Sequence, residues 1–138
     1  MAGMKDILVP LSPGELLDKI TILRIKAKRI GDAGKRANVQ LELDLLEGTW
    51  RESGCAAVDL SSDERALQDV NERLWVIEDR IREKEAAQRF DEEFIALARS
   101  VYVSNDERAA IKKRVNLRLG SRIVEEKSYQ PYGGARKP

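Results

Sequence analysis

Residues 67–81 of this 138-residue chain read LQDVNERLWVIEDRI. The main apolar residues of the segment follow each other at spacings of three and four: Leu67, Val70, Leu74, Ile77 and Ile81. This spacing places them on one stripe of an α-helix and is typical of the seam between two packed helices. The segment therefore predicts a long helix, over about 62–87, that pairs with a neighbouring helix along its length.

Four further helices are predicted around this segment. Their apolar residues recur at helical spacing in the ranges 13–30, 35–51, 92–103 and 105–119. Gly31 and Gly120 follow the first and the last of these helices, and glycine is the usual helix end. Ile7-Leu8-Val9 is compatible with an extended segment, but no other segment resembles a partner strand. We expect an all-α bundle of about five helices, built around a long helical hairpin.

Capping sequences mark the predicted helix starts. Three segments with the pattern S-x-x-E begin at Ser12, Ser61 and Ser104. In such a capping box the serine oxygen accepts a hydrogen bond from the amide three residues later. Asp91 is a fourth predicted N-cap. These starts divide the C-terminal half of the chain into separate helices at 92–103 and 105–119.

The chain is expected to form a single domain over residues 1–138, since its length is typical of one. An extended N-terminal arm covers 1–11, the helices cover 12–120, and an extended tail covers 121–138. The tail is expected to pack on the bundle and to fray over its last residues, from Gly133 onward. Met4 could be the natural start, and the first residues do not resemble a signal peptide.

The composition excludes several classes of function. The chain has one cysteine, Cys55, and no histidine, so an intramolecular disulfide, a histidine-based triad and a histidine-bound metal are excluded. We expect neither a metal nor another cofactor. No run of apolar residues is long enough to span a membrane. Together with the lone cysteine, this favours a cytoplasmic protein.

Charge is unevenly distributed along the chain, although the net charge is only +1. Residues 15–36 carry a net charge of +4, residues 37–104 carry −8 and residues 105–138 carry +5. One interpretation is that the basic ends pair with the acidic middle, within the chain or in a second copy. The alternative is a basic surface for nucleic acid, which is disfavoured because the acidic middle would repel a polyanion.

A second apolar patch on the first two helices predicts self-association. Ile22 and Ile25 lie opposite the main apolar stripe of the first helix, and Leu41 and Leu45 lie opposite that of the second. A helix that is apolar on two sides is usually covered on both. Two such helical hairpins could pair into a homodimer. The alternative is that the C-terminal segment covers these residues within one chain.

A line of larger polar and aromatic residues on the third helix forms a candidate ligand site. Asn71, Trp75, Glu78 and Arg82 recur at helical spacing, with Trp75 as a platform and Arg82 as an anion-binding group. Arg108 projects onto the apolar face of its own helix and therefore needs a partner. That partner could be an anionic ligand or an acidic residue of the central region. The structural alternative for the line is a Glu78–Arg82 ion pair beside a half-buried tryptophan.

Several segments resemble one family closely. They are VPLSPGELLDKITIL at 9–23, FDEEF at 90–94, SNDER at 104–108 and VEEKSY at 124–129. With the stretch from Phe90 to Tyr132, they resemble a family of small uncharacterised bacterial proteins, the domain of unknown function DUF6165. The family carries no assigned activity. Similar segments occur beside glycosyltransferase-like proteins of cell-surface polysaccharide synthesis, which implies an accessory role with a protein partner there.

Two enzyme families provide alternatives. The size and helices are similar to those of small all-α chorismate mutases, for which Arg24, Lys35, Arg73 and Arg108 would be the candidate anion-binding residues. All-α nucleotide pyrophosphohydrolases are disfavoured because the chain has no E-x-x-E pair. The leading prediction is a non-enzymatic interaction module that acts as a homodimer. The alternative is a small enzyme or binding protein for an anionic metabolite such as chorismate, a nucleotide or a sugar phosphate.

Overall fold

The computed structural model describes residues 3–132, which form four α-helices and one 3-10 turn and contain no β-strand. The helices are α1 (Pro13–Arg29), α2 (Ala33–Glu52), α3 (Ser61–Ala86) and α4 (Glu92–Arg118), and the turn is Cys55–Ala57. The all-α prediction is confirmed. The predicted fraying over residues 133–138 lies outside the described residues.

The predicted fourth and fifth helices are one helix, α4, so the prediction of about five helices is corrected to four. Ser104 lies in the middle of α4 and is buried, whereas an N-cap residue requires a non-helical backbone. No glycine or proline interrupts residues 92–119. Continuous packing of α4 along α3 therefore prevails over the local capping pattern.

Of the other three predicted helix starts, two are correct and one is wrong. Ser12 caps α1, since its hydroxyl accepts a hydrogen bond from the amide of Glu15 at 3.3 Å. Asp91 caps α4 by accepting from the amide of Phe94 at 3.0 Å. The capping box at Ser61 is wrong, because Ser61 is itself the first residue of α3 and its amide donates to Asp59 Oδ1 at 3.0 Å.

Helix α1 lies at the centre of the molecule, between two apolar clusters. Leu17 faces α3 and α4 in a cluster with Leu60, Leu67, Val70, Ile111 and Val115. Leu16, Ile20 and Leu23 face α2 and pack against Leu43. Trp50, near the end of α2, packs against both clusters. Burial of apolar surface on two sides thus makes α1 the core helix of the fold.

Helices α3 and α4 form a long hairpin, and the N-terminus of α1 crosses α4 closely. The amide of Gly14 donates to Asn116 Oδ1 at 2.7 Å. A Cβ atom at Gly14 would lie only 2.4 Å from the carbonyl oxygen of Lys112. Only glycine permits this approach of the two backbones.

The remaining segments lie outside the core. Helix α2 has a single fully buried residue, Leu43, and packs mainly against α1. The N-terminal arm has no regular secondary structure and is exposed over residues 3–11. The tail, residues 121–132, runs back along α4, with Lys113 paired to Glu126 at 3.1 Å. Within the described part of the chain, no helix is both long and apolar enough to cross a membrane.

Candidate functional site

A buried polar cluster joins α1, α3 and α4. The fully buried Asp18 carboxylate accepts two hydrogen bonds from Arg108, from Nε to Oδ1 at 2.9 Å and from Nη2 to Oδ2 at 2.5 Å. Asn71 Nδ2 donates to Asp18 Oδ1 and to Thr21 Oγ1, both at 3.0 Å. The Thr21 hydroxyl donates to the backbone oxygen of Asp18 at 2.8 Å. Each polar side chain of the cluster is therefore hydrogen-bonded, which is what its burial requires.

Arg108 is neutralised by Asp18. Burial by itself would raise the pKa of Asp18, but hydrogen bonds from Arg108 and Asn71 outweigh burial and hold this pKa below its usual value. The third nitrogen of the guanidinium, Nη1, donates to Asn105 Oδ1 at 3.4 Å. All three guanidinium nitrogens therefore have partners. The charged partner predicted for Arg108 is Asp18, a residue of α1. It is not a residue of the acidic middle.

A groove of about 410 Å³ opens beside this cluster, between α1, α3 and α4. Four of the five predicted ligand residues line it: Asn71, Trp75, Glu78 and Arg108. Its other charged side chains are Lys26 and Asp79. The groove thus brings together charges of both signs, and Lys26 forms no ion pair within residues 3–132.

Arg82, the fifth predicted residue, does not line the groove. Its side chain is exposed and lies 3.5 Å from Glu78, as the structural alternative predicted. Trp75 has an intramolecular cation nearby, because the Arg29 guanidinium carbon lies 5.9 Å from its ring centroid. Arg82 therefore lies outside the groove and beside Glu78, and its role as an anion-binding group stays a prediction.

The four predicted interface residues have different environments. Ile25 is only 1% exposed, and Ile22 is half-buried in the groove. Its own chain therefore covers Ile25, whereas Ile22 is covered only in part. Leu41 and Leu45 are 63% and 52% exposed on α2 and remain available for a partner.

Ion pairs connect the basic ends to the acidic middle within one chain. Arg24 of α1 pairs with Glu47 at 3.3 Å and also with Glu64. Arg29 of α1 pairs with Glu72 at 2.8 Å. The uneven charge distribution is therefore matched by contacts between helices, as the first interpretation predicted.

Among the buried charged residues that the sequence did not reveal are Asp63 and Lys84. Asp63 is buried and accepts hydrogen bonds from Arg114 at 2.8 Å and Arg118 at 2.9 Å. Lys84 is also buried and lies 2.9 Å from Asp91 at the tip of the hairpin. The i, i+4 spacing of the two arginines was a visible signal, but their acidic partner lies more than 50 residues away in the sequence.

Three of the four candidate anion-binding residues of a chorismate-mutase-like enzyme are already paired with carboxylates. Arg24 and Arg108 have the carboxylate partners given above, and Arg73 pairs with Glu107 at 2.6 Å. Lys35 is exposed at the start of α2. In residues 3–132, no three cysteine or carboxylate side chains are grouped so that they could hold a metal ion.

The fold and site define a class: a four-helix protein in which the central helix contributes Asp18 to a buried cluster with Asn71 of α3 and Arg108 of α4. The family model described as "Family of unknown function (DUF6165)" matches residues 7–136. The chain therefore belongs to the DUF6165 family, as its sequence resemblance implied. No curated protein and no solved structure matches the chain.

Proposed function

We propose that this chain is a non-enzymatic interaction module that self-associates through the outer face of α2. The observation that carries the proposal is the exposure of Leu41 and Leu45, one helical turn apart, on a helix that packs on its own chain from one side. Adjacent exposed leucines are a surface that association would remove from water.

The spacing along this face suits a two-fold axis. Gly34, Leu41, Leu45 and Glu52 follow each other at spacings of seven, four and seven, so they share one stripe of α2 and the pattern reads the same in both directions. An antiparallel pair of α2 helices would place Leu41 of one copy against Leu45 of the other. A two-fold interface requires this self-complementarity.

Charge at the two ends of α2 also favours antiparallel pairing. Glu52 would lie at the N-terminal turn of the second copy's α2, where the helix dipole is positive and Lys35 adds a cation. Neither Lys35 nor Glu52 forms an ion pair inside residues 3–132. In a parallel pair, Lys35 would instead lie beside Lys35 of the second copy, and Glu52 beside its Glu52, so that like charges would meet.

Substitutions on the outer face of α2 test the proposal. Leu41→Glu should weaken self-association at least about tenfold, because the interface would bury an unpaired charge. Leu117→Glu on α4 is the matched control, since Leu117 is 64% exposed. Equilibrium sedimentation gives the dissociation constants. Equal constants for both variants and the unaltered chain would refute the interface.

A charge exchange tests the antiparallel orientation separately. Lys35→Glu and Glu52→Lys should each weaken association, and the double variant should restore part of the loss. No restoration in the double variant would contradict antiparallel pairing even if Leu41→Glu confirms the face. A protein partner in cell-surface polysaccharide synthesis and a cytoplasmic location stay predictions.

A second candidate function is the binding of an anionic metabolite in the groove beside Trp75. Four of the predicted ligand residues do line this groove, and Lys26 is its unpaired cation. The pairing of Arg108 with Asp18 disfavours this function. Thermal unfolding with chorismate, nucleotides and sugar phosphates tests it. A ligand at a hundred times its dissociation constant should stabilise the fold by about 2.7 kcal/mol, and Lys26→Gln should reduce that effect.

A further inference from the structure

The C-terminal tail and α4 form a second cleft, which shares only Asn105 with the Trp75 groove and lies apart from the outer face of α2. Its volume is about 560 Å³. The chain has three tyrosines, and all three line this cleft: Tyr102 from α4, and Tyr129 and Tyr132 from the tail. Asp106 and Lys127 are its charged residues. Aromatic residues make up only 5% of this chain, so a cleft lined by three of them differs from the rest of the surface.

The tyrosine rings line the cleft together with a carboxylate. The rings of Tyr102 and Tyr132 meet edge to face, with centroids 5.0 Å apart and an interplanar angle of 61°. Asp106 lines the cleft beside them, and its carboxylate raises the pKa of the Tyr132 phenol. Aromatic faces are negative at their centres, so rings beside a carboxylate create a region that attracts cations.

One cation already occupies part of this region. The Lys127 ammonium lies 5.9 Å from the ring centroid of Tyr129 and 3.9 Å from Glu125 Oε1. Lys127 belongs to the tail, which is held along α4 by ion pairs of Lys112 with Glu125 and of Lys113 with Glu126. The ammonium group therefore shows that a positive charge is accommodated beside the ring of Tyr129, which lines the cleft.

We propose that this cleft binds a small organic cation that carries an alkylated ammonium group. The faces of the tyrosines and the Asp106 carboxylate would surround the ammonium, and Lys127 would compete with it for Tyr129. The volume falls within the range of small-molecule sites and leaves room for the group attached to the ammonium. An anion is disfavoured because Asp106 would repel it.

Binding of choline and tetramethylammonium to the full chain tests the proposal. The neutral isostere of choline, 3,3-dimethylbutan-1-ol, is the matched probe, since it has the same shape without the charge. We expect the tyrosine ring NMR signals to shift saturably with both cations and at least about tenfold more weakly with the alcohol. Equal affinity for choline and the alcohol, or no saturable shift with either cation, would overturn the proposal.

Four variants separate cation binding from a general effect on the tail. Tyr129→Leu should weaken choline binding about three- to fivefold, the size of an exposed cation–π contact, and Tyr129→Phe should retain it. Asp106→Asn should weaken binding, whereas Asp69→Asn, which removes an exposed carboxylate of α3 outside the cleft, should not.

Lys127→Gln distinguishes a cation site from an anion site by the direction in which the affinity changes. It removes the intramolecular competitor, so choline should bind more tightly. A site for anions would lose affinity instead. Weaker choline binding by Lys127→Gln would therefore contradict the proposed role of Lys127 and of the cleft. Because Lys127 and Tyr129 lie on the exposed tail, these substitutions leave the core unchanged.

Discussion

Helices α1 and α2 carry similar second apolar patches in the sequence, yet the two patches are buried to different extents in the structure. In α1, residues on both sides are buried, with α2 against one side and the α3–α4 hairpin against the other. In α2, one side packs against α1, and Leu41 and Leu45 remain exposed. An apolar patch on a helix therefore indicates a covering surface without indicating whether that surface belongs to the same chain.

The difference follows from the order of the helices in space. A central helix has neighbours on both sides within one chain, so its apolar residues contribute to folding. A peripheral helix has a neighbour on one side only, so its outer apolar residues contribute to association. Comparing equivalent substitutions in α1 and α2 tests this distinction.

The largest expected difference is between Ile25 and Leu41. Ile25→Ala should lower the free energy of unfolding by about 2–5 kcal/mol, because Ile25 is fully buried and the substitution leaves a cavity. Leu41→Ala should change the unfolding free energy of the monomer by less than about 0.5 kcal/mol. Urea unfolding at low protein concentration measures both. Similar losses would contradict the assignment of α2 as peripheral.

The next largest effect is expected for the buried charge of α1. Asp18→Ala should cost about 3 kcal/mol, because it leaves Arg108 and Asn71 without their shared acceptor. Arg108 keeps part of its side chain exposed, which limits the penalty. The control is Glu107→Ala, which breaks a half-exposed pair with Arg73 and should cost less than about 1 kcal/mol. Equal unfolding free energies for the two variants would argue against a stabilising role for the cluster.

Glycines give a smaller contrast between the same two helices. Gly14→Ala should destabilise the fold by about 1–3 kcal/mol, since the new methyl group would clash with the backbone of Lys112. Gly48→Ala in α2 should stabilise by about 0.5–1 kcal/mol, because the nearest atom, Arg51 Nη2, would be 3.8 Å away. Denaturation curves recorded below the concentration of self-association would show shifts of opposite sign. A stabilising Gly14→Ala would mean that α1 and α4 are farther apart than described.

The smallest expected effect is a dependence on pH. Because the pKa of Asp18 is lower in the folded chain than in the unfolded chain, the ion pair stabilises the fold fully above a pH of about 4. That contribution is lost as the pH falls through the folded-state pKa. In Asp18→Asn the unfolding free energy should fall less between pH 5 and pH 2 than in the unaltered chain. An unchanged pH profile would show that Asp18 titrates normally.

Much of the fold could be predicted from the sequence because its signals are local. The seam of α3, the Ser12 and Asp91 caps, and the course of α1 all depend on neighbouring residues. The break predicted at Ser104 was wrong because a capping pattern is only a weak local preference. Contacts with α3 lie on both sides of that point, the Arg80–Glu93 ion pair before it and the apolar cluster of Val70 and Val115 after it, and they keep α4 continuous.

The candidate site was predicted in part for the same reason. Asn71, Trp75 and Glu78 share one face of α3, so helical spacing alone brought them together in the groove. The partner of Arg108 could not be found this way, since Asp18 lies 90 residues away and carries no local signal. Such a pair depends on how three helices cross, which no short segment encodes.

The mass of the unaltered chain in solution tests the central claim most directly. Equilibrium sedimentation over a range of protein concentrations should show a transition to twice the 15.6 kDa mass of one chain. Leu41→Glu should move that transition to higher concentration. A mass of one chain at every concentration up to the millimolar range would contradict the claim that a second copy covers the outer face of α2.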